Sequence, residues 1–267
     1  MPRNVPRQSG RISRSLDVYY RDAARTQRMD RLHAELLPAG GLVFDIGAHV
    51  GDRTASFARL GATVVALEPQ PRVFRALRLI HGRTSGITVI CAAAGAVPAR
   101  MTMYLNTENP TISTASADFI AATRQAEGWQ GQVWDREISV PVTTLDQLIT
   151  DHGMPDFVKI DVEGHEAEVL AGLSVALPLL SFEFTTIQRS VAYACMDRLE
   201  TLGAFEYNLS LGEEHLLHHA DWISAADLRA RIMDLPEAAN SGDVYARLIS
   251  DQSRHLVDRI KGEAIRL

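Results

Sequence analysis

A glycine-rich turn between an apolar strand and a helix constrains this chain more than any other stretch. Residues 42–44 are apolar and lead into Asp45, and Gly47 and Gly51 follow four positions apart. Glycine permits a tight turn and lets a ligand approach the bare backbone. The helix predicted to begin at Asp52 offers unpaired backbone N–H groups. The stretch therefore predicts a strand, a turn and a helix that hold a small anionic or nucleoside ligand.

An acidic residue closes the next apolar run. Residues 62–67 predict a second strand, and Glu68 and Pro69 follow it directly. A carboxylate at this point can accept hydrogen bonds from both hydroxyls of a ribose. A dinucleotide fingerprint would need glycine where this chain has His49 and Asp52, so phosphate binding is disfavoured. A ribose without phosphate, attached to a zwitterionic amino acid, fits better, and S-adenosylmethionine (SAM) is the common cofactor of that description.

The length and the charge of the chain limit its class and its partners. The 267 residues suffice for one sizeable α/β domain. The formal net charge of −6 gives no positive field for a polyanion, so DNA and RNA are not expected partners. Cys91 and Cys195 lie in apolar stretches without metal or disulfide spacing, which is typical of a reduced cytoplasmic protein. No apolar run is long enough for a membrane span.

Strands and helices alternate through most of the chain. We expect a basic tail and a helix around 16–37 within residues 1–40, a main domain over 41–250 and an exposed tail over 251–267. Within the main domain, residues 87–90 predict a buried third strand. The small residues after it include Ala93 and leave room for the flat adenine ring, although tight packing of strand against helix explains them equally well.

The regular alternation stops over residues 106–137. This segment contains a Ser/Thr-rich patch, a predicted short helix over 118–127 and two tryptophans, Trp129 and Trp134. Long insertions in compact domains are usually disordered or functional. Aromatic residues in a loop need a surface to cover. The segment is therefore predicted to be a lid over a site.

Four acidic residues follow or end predicted strands. They are Asp45, Glu68, Asp161 and Glu183. Ligands of open parallel sheets bind beyond the carboxyl ends of the strands, so these side chains are expected to lie near one site. Glu183 stands inside an apolar strand, where a carboxylate is costly to bury without a partner. It should face the site or pair with a cation such as Lys159.

Three motifs in a fixed order carry a resemblance to a known family. VFDIGAHVG at 43–51, VTTLDQLI at 142–149 and FVKIDVEGHEAEVLAG at 157–172 resemble the FkbM family of SAM-dependent methyltransferases, whose first motif has the form DIGANxGxxT. His49 replaces the usual asparagine and can still donate a hydrogen bond to the cofactor. The resemblance implies an α/β, Rossmann-like class I methyltransferase with a doubly wound, mostly parallel seven-stranded sheet whose last strand is antiparallel. It also implies methylation of a hydroxyl on a sugar or secondary metabolite.

The resemblance and the strand ends together give a set of candidate site residues. The expected cofactor-binding residues are Asp45, Gly47, His49, Gly51, Thr54, Glu68, Pro69 and Ala93. The expected catalytic residues are Asp161, Glu163, His165, Glu166 and Glu183.

An attacking alcohol must lose its proton, and His165 is the first candidate base because an unperturbed histidine has a pKa near neutrality. The alternative is that His165 is an ordinary residue of the first helical turn. A second alternative is that Asp161, Glu163 and Glu183 hold a divalent cation such as Mg²⁺, which would lower the pKa of the acceptor hydroxyl.

Other functions and partners remain open at this point. The alternatives are an N-methyltransferase of a small molecule, an NAD(P)-dependent oxidoreductase and a non-catalytic SAM-binding module. The expected partner is a small-molecule or glycan acceptor, and a homo-oligomer is compatible with the sequence. The histidines at 215, 218 and 219 are interpreted as an exposed turn and not as a metal site.

Overall fold

The computed structural model describes residues 10–249. Residues 1–9 of the predicted basic tail and the predicted tail at 251–267 lie outside the described residues. The helices are α1 (Gly10–Arg21), α2 (Ala23–Leu36), α3 (Asp52–Arg59), α4 (Pro71–His81), α5 (Ala117–Thr123), α6 (Leu145–His152), α7 (Glu166–Ala171), α8 (Arg189–Leu202) and α9 (Ala225–Asp234). The strands are β1 (Leu42–Ile46), β2 (Thr63–Leu67), β3 (Ile87–Ile90), β4 (Ala93–Ala94), β5 (Ala99–Leu105), β6 (Arg136–Thr143), β7 (Phe157–Ile160), β8 (Leu179–Thr185), β9 (Phe205–Leu211) and β10 (Ser241–Leu248).

Seven strands form one central sheet in the order β3-β2-β1-β7-β8-β10-β9. The first five of these pair in parallel, whereas β10 runs antiparallel to both β8 and β9. The prediction of a doubly wound, mostly parallel sheet with an antiparallel last strand is confirmed. The chain order reverses at β1, which lies between β2 and β7, and such a reversal opens a crevice at the carboxyl ends of the strands.

The core lies on both faces of this sheet. Along β1, Val43 belongs to the apolar cluster on one face, which includes Phe57 of α3. The next residue, Phe44, belongs to the larger cluster on the other face, which includes Leu145 of α6. Successive side chains of a strand point to opposite faces, so a strand covered on both sides is apolar throughout. This double burial explains why the strands that end at the crevice read as continuous hydrophobic runs.

A second, three-stranded sheet has the order β4-β6-β5 and was not predicted. β5 and β6 pair antiparallel from Ala99 opposite Val142 to Leu105 opposite Arg136. The 106–137 segment therefore lies almost entirely between two paired strands. β6 was missed because its first residues were assigned to that segment.

Three local predictions were wrong. The single helix expected around 16–37 is two helices, because Asp22 ends the first and accepts a hydrogen bond from the backbone N–H of Arg25 to cap the second. The strand β3 was expected to be buried but is half-exposed, since it lies at the edge of the sheet. His215 was assigned to an exposed turn, yet its side chain is buried.

Within residues 10–249 the longest helices, α2 and α8, have 14 residues each, and no helix has the length and apolar character that crossing a bilayer requires.

Candidate active site

One cavity lies over the carboxyl ends of β1, β2 and β7, with about 820 Å³ of empty space including its open mouth. Most of its wall comes from the turn after β1, the residues after β2, the alanines after β3 and the loop after β7. Its lining includes nine predicted site residues, Asp45, Gly47, His49, Glu68, Pro69, Ala93, Asp161, Glu163 and His165. The predicted residues Gly51, Thr54, Glu166 and Glu183 are outside this lining.

Gly47 brings two of these loops into contact. Its φ angle is +86°, and a Cβ atom at this position would overlap the carbonyl oxygen of Asp161. Only glycine fits this combination of left-handed backbone and close approach. Gly51 has φ +85° and a different role, because a Cβ there would meet His81 and Leu77 below the cavity. The first glycine shapes the site and the second packs helix α4 against the turn.

Asp45 and Thr54 fix the helix α3 to the strand β1. The Thr54 hydroxyl donates a hydrogen bond of 2.5 Å to Asp45 Oδ2, and both residues are buried. Burial raises the pKa of Asp45 to about 6, although the Thr54 hydrogen bond opposes this shift. Thr54 therefore acts through Asp45, which itself lines the cavity.

Glu68 is held by the backbone on both sides. Its Oε1 accepts a hydrogen bond of 2.7 Å from the N–H of Gln70, and its Oε2 accepts one of 3.1 Å from the N–H of His49. A carboxylate has about four acceptor positions, so further hydrogen bonds can be accepted from a ligand. Burial raises the pKa of Glu68 to about 7, against the effect of these N–H donors.

His49 presents an unsatisfied imidazole to the cavity. Both ring nitrogens are buried, and neither has a hydrogen-bond partner among residues 10–249. Burial lowers the pKa of His49, and the ring meets Tyr19 edge-on at 5.9 Å between centroids. Buried polar atoms in native proteins almost always have a partner. The wall of the cavity is thus suited to a ligand that hydrogen-bonds with this ring.

Asp161 is an ionised carboxylate at the end of β7. Lys159 Nζ lies 3.3 Å from Asp161 Oδ2 and 2.5 Å from Asp243 Oδ1. Burial alone would raise the pKa of Asp161, but Lys159 and Arg53 outweigh it and hold this pKa below its usual value. Glu183 was expected to face the site or to pair with a cation such as Lys159. The pairing is not formed, since the ion pairs of the ammonium are with Asp161 and Asp243 and Oε2 of Glu183 is buried without a hydrogen-bond partner in residues 10–249.

Glu163 and Glu166 have different roles in the loop after β7. Glu163 lines the cavity in a left-handed conformation with φ +57°, which is uncommon for a residue other than glycine. Its carbonyl oxygen accepts a hydrogen bond of 2.6 Å from the Thr114 hydroxyl. Burial raises the pKa of Glu163, and Asp161 adds to this shift. The Glu166 carboxylate points away and accepts hydrogen bonds from the N–H groups of Val162 and Gly164, so it shapes the loop.

Glu183 lies behind this loop. It lines a smaller cavity together with Gly164 and Gln188. Ligand oxygens of Asp161, Glu163 and Glu183 nevertheless lie within 4.8 Å of one another. Burial raises the pKa of Glu183, with Asp161 and Glu163 adding to the shift. The three residues are thus close enough to share a cation.

His165 immediately precedes α7 and lines the cavity. Burial lowers the pKa of its imidazole, against a smaller opposite effect of Glu168. The ring is therefore neutral at pH 7, which is the form that can accept a proton.

The 106–137 segment contacts the site through its first half. Thr111, Ser113 and Ala115 line the cavity. The two tryptophans do not, because Trp129 and Trp134 pack edge-on against Phe119, with centroid distances of 5.3 and 6.3 Å. The two tryptophans that suggested a cover over the cavity are half-buried against Phe119 instead, and the role of the segment as a lid stays a prediction.

Sequence reasoning missed several residues that line the cavity. Tyr19 comes from α1, Arg53 from the first turn of α3 and Gln70 from the start of α4, and two methionines of β5 contribute as well. Arg53 had a signal, because it is a polar residue directly after the glycine turn. Tyr19 had none, since its contact with the site joins residues 30 positions apart.

Comparison with known proteins agrees with this geometry. The family model described as "Methyltransferase FkbM domain" matches residues 45–219. The chain belongs to the FkbM methyltransferase family. The match begins at Asp45 and includes the glycine turn and the loop after β7, whereas α1 and α2 precede it. The FkbM domain therefore supplies most of the cavity, and the helix α1 adds Tyr19 from outside the match.

Two curated FkbM relatives cover similar parts of the chain. Hexuronic acid methyltransferase AglP of Haloferax volcanii is 29% identical over 64% of this chain and 66% of its own length. The 31-O-demethyl-FK506 methyltransferase FkbM of Streptomyces tacrolimicus is 32% identical over 57% of this chain and 66% of its own length. The match thus spans about two thirds of each relative. Among solved structures, a TehB-like SAM-dependent methyltransferase from Corynebacterium glutamicum is 10% identical, covers 88% of this chain and 94% of its own, and has a TM-score of only 0.44.

Proposed function

We propose that this protein transfers a methyl group from SAM to a hydroxyl oxygen of a sugar or secondary metabolite. One observation carries the proposal: the glycine turn, the acid after β2, the alanines after β3 and the acidic loop after β7 line one continuous cavity. The relatives point to the acceptor class, since one is named for a hexuronic acid and the other for 31-O-demethyl-FK506.

The residues of the cavity fit this cofactor. The Glu68 carboxylate can accept hydrogen bonds from a ribose, and the small side chains of Ala92–Ala94 leave space for the adenine ring. The unsatisfied nitrogens of His49 are available to the cofactor. A pyrophosphate is disfavoured, because His49 and Asp52 stand where the dinucleotide fingerprint has glycines. When bound, SAM supplies an electrophilic methyl group.

The protein must then orient the acceptor and remove its proton. An acceptor oxygen held in line, about 3 Å from the methyl carbon, is the main requirement. The neutral His165 ring is the preferred base, because it lines the cavity beside the loop after β7. Glu163 is the second candidate, since its carboxyl lines the same wall and its raised pKa makes it a stronger base than an ordinary glutamate.

Binding and product analysis test the proposal in sequence. Isothermal titration should show that SAM binds, whereas NAD and NADP do not. Acceptors are then screened by mass spectrometry with SAM labelled in its methyl group, and a labelled methyl ether is the expected product. A labelled amine would establish N-methylation instead. Tight SAM binding with no product from any sugar or metabolite would favour a non-catalytic module.

The His165→Ala variant tests the base once an acceptor is known. We expect SAM affinity to stay within about threefold and kcat to fall by roughly 10²–10⁴-fold, the usual contribution of a positioned base. His152→Ala is the matched control, because this exposed histidine of α6 lies outside the cavity. An unchanged kcat for His165→Ala would eliminate it and direct attention to Glu163→Gln.

A divalent cation and the other expected properties stay proposals. Asp161, Glu163 and Glu183 could hold Mg²⁺ through carboxylate oxygens, and dialysis against EDTA should then abolish turnover until Mg²⁺ is restored. Full turnover after dialysis would exclude the ion. A glycan acceptor, a homo-oligomer and a cytoplasmic location are retained as predictions on the same footing.

A further inference from the structure

Arg53 places a guanidinium in the cavity without a hydrogen-bond acceptor. Its side chain lines the wall and is 16% exposed. The nearest carboxylates, those of Asp52, Glu213 and Asp161, lie 3.6, 3.6 and 3.9 Å from its nitrogens. These distances exceed the range of a hydrogen bond. Within the described part of the chain, 10–249, no oxygen accepts a hydrogen bond from this side chain.

The carboxylates around Arg53 are hydrogen-bonded to other donors. Arg25 donates to Asp52 at 2.8 Å and to Glu213 at 2.6 Å, so these two anions are fixed by a second guanidinium. Their charge still raises the pKa of Arg53, against its burial, which keeps it a cation. The charge of this cation is thus balanced by its neighbours, while its N–H donors are left without acceptors at hydrogen-bond distance. The arrangement therefore favours an anionic group in the cavity, at the guanidinium of Arg53.

The order of the strands shows which part of the cofactor would reach this cation. From one side of the cavity to the other, the sheet presents the alanines after β3, Glu68 after β2, Gly47 after β1 and Asp161 after β7. With the ribose at Glu68 and the adenine toward the alanines, the amino-acid portion extends over β1 and β7. Arg53 lies at that end, because its nearest contact with the loop after β7 is the one to Asp161.

We propose that Arg53 binds the α-carboxylate of the cofactor, an inference that rests on the proposed function. A guanidinium matches the two oxygens of a carboxylate with paired N–H donors. Position 53 falls on an unspecified position of the DIGANxGxxT motif. The assignment therefore concerns this chain and does not follow from the family pattern.

The test compares SAM with decarboxylated SAM, which lacks only the carboxylate. Isothermal titration is carried out with the full-length protein and with Arg53→Gln. We expect Arg53→Gln to weaken SAM binding by roughly 10–100-fold, the effect of losing charge-assisted hydrogen bonds. Binding of decarboxylated SAM should change by less than about threefold on the same principle, because the lost donors have no partner on this ligand. Arg53→Lys should be intermediate, since it keeps the charge and loses the paired donors.

Arg59→Gln is the matched control. Arg59 is in the same helix, and its guanidinium pairs with Asp30 outside the cavity, so both affinities should be unchanged. Equal weakening of both ligands by Arg53→Gln, or no weakening of SAM, would overturn the inference. Unchanged SAM binding together with an increased KM for the acceptor would assign Arg53 to the binding of an anionic acceptor instead. If Arg53→Gln does not fold, the same comparison with Arg53→Lys decides. Failure of the unmodified protein to bind SAM would refute the proposed function itself.

Discussion

At its β3 end, defined by Glu68, Gln70 and Ala92–Ala94, the cavity is built from small side chains and from a carboxylate that accepts backbone hydrogen bonds. At its β7 end, Arg53 and Asp161 line the cavity and belong to a network of charged side chains from distant segments, whose other members, Lys159, Glu213 and Asp243, are outside the lining. Burial without a countercharge makes Glu68 a weaker acid, whereas neighbouring cations make Asp161 a stronger one. The pKa values of the acidic residues at the two ends are therefore shifted in opposite directions.

The largest contrast between the ends should appear in stability. Lys159→Met removes the ammonium between Asp161 and Asp243 and leaves the buried Asp243 carboxylate without its cation, whereas Asp161 keeps Arg53 at 3.9 Å. Breaking a buried ion pair in this way typically costs about 3–5 kcal/mol in the free energy of unfolding. Urea denaturation measures this loss. Arg247→Met is the control, because its half-exposed ion pair with Glu206 on the edge strand β9 should contribute less than about 1 kcal/mol. Similar losses of unfolding free energy for both variants would show that the buried ion pairs at the β7 end contribute no more than an exposed pair.

The same contrast explains which parts of the site the sequence could predict. The β3 end and the glycine turn depend on residues close in sequence. The local pattern of residues 42–68 was therefore enough to predict that Asp45, Gly47 and Glu68 belong to the site. The β7 end depends on contacts between segments far apart. Nothing in the local pattern around Lys159 shows that its partner is Asp243, 84 residues later. The same limit applies to Arg25, which reaches Glu213 across 188 positions.

Strands with a strong local pattern could likewise be predicted from the sequence, whereas β6 could not. Central strands buried on both faces have a strong apolar signal, and the sequence predicts β2 over 62–67 and β7 over 157–160, each within a residue of its observed bounds. The half-exposed β6 has alternating exposed and covered residues and lies next to an irregular segment. Its pairing with β5 is a contact that the sequence pattern does not encode, so the small second sheet was missed.

A smaller effect concerns the pH dependence of stability. Burial raises the pKa of Glu68 from 4.5 to about 7. The folded state thus binds this proton more tightly than the unfolded state, and the residue costs stability as the pH rises from about 4.5 to 7. Glu68→Gln removes this titration. The unfolding free energy of the unmodified protein should therefore fall relative to that of the variant by on the order of 3 kcal/mol across this interval.

Asp161 changes the pH dependence of stability in the opposite direction. Its pKa is lowered in the folded state, so its stabilising contribution is present above the unfolded pKa and is lost as the pH falls through the lowered value. Urea denaturation of both proteins at pH 5, 6 and 7 isolates the Glu68 effect, because the titrations of Asp45 and Asp161 are common to the two proteins and cancel in their difference. A constant difference between Glu68→Gln and the unmodified protein over this range would show that Glu68 titrates normally.

The smallest expected effect comes from Tyr19, which lies between the two ends and outside the family match. Its ring contacts His49 edge-on and lies 5.1 Å from the guanidinium carbon of Arg25, so it covers the cavity from α1. Aromatic contacts of this kind contribute about 0.5–1.5 kcal/mol, so Tyr19→Leu should weaken SAM binding by roughly 2–10-fold. Tyr20→Leu is the matched control, because Tyr20 contacts Val50 and His81 and does not line the cavity. Equal loss of affinity in both variants would indicate that α1 stabilises the glycine turn as a whole, whereas a loss confined to Tyr19→Leu would make α1 a part of the cofactor site.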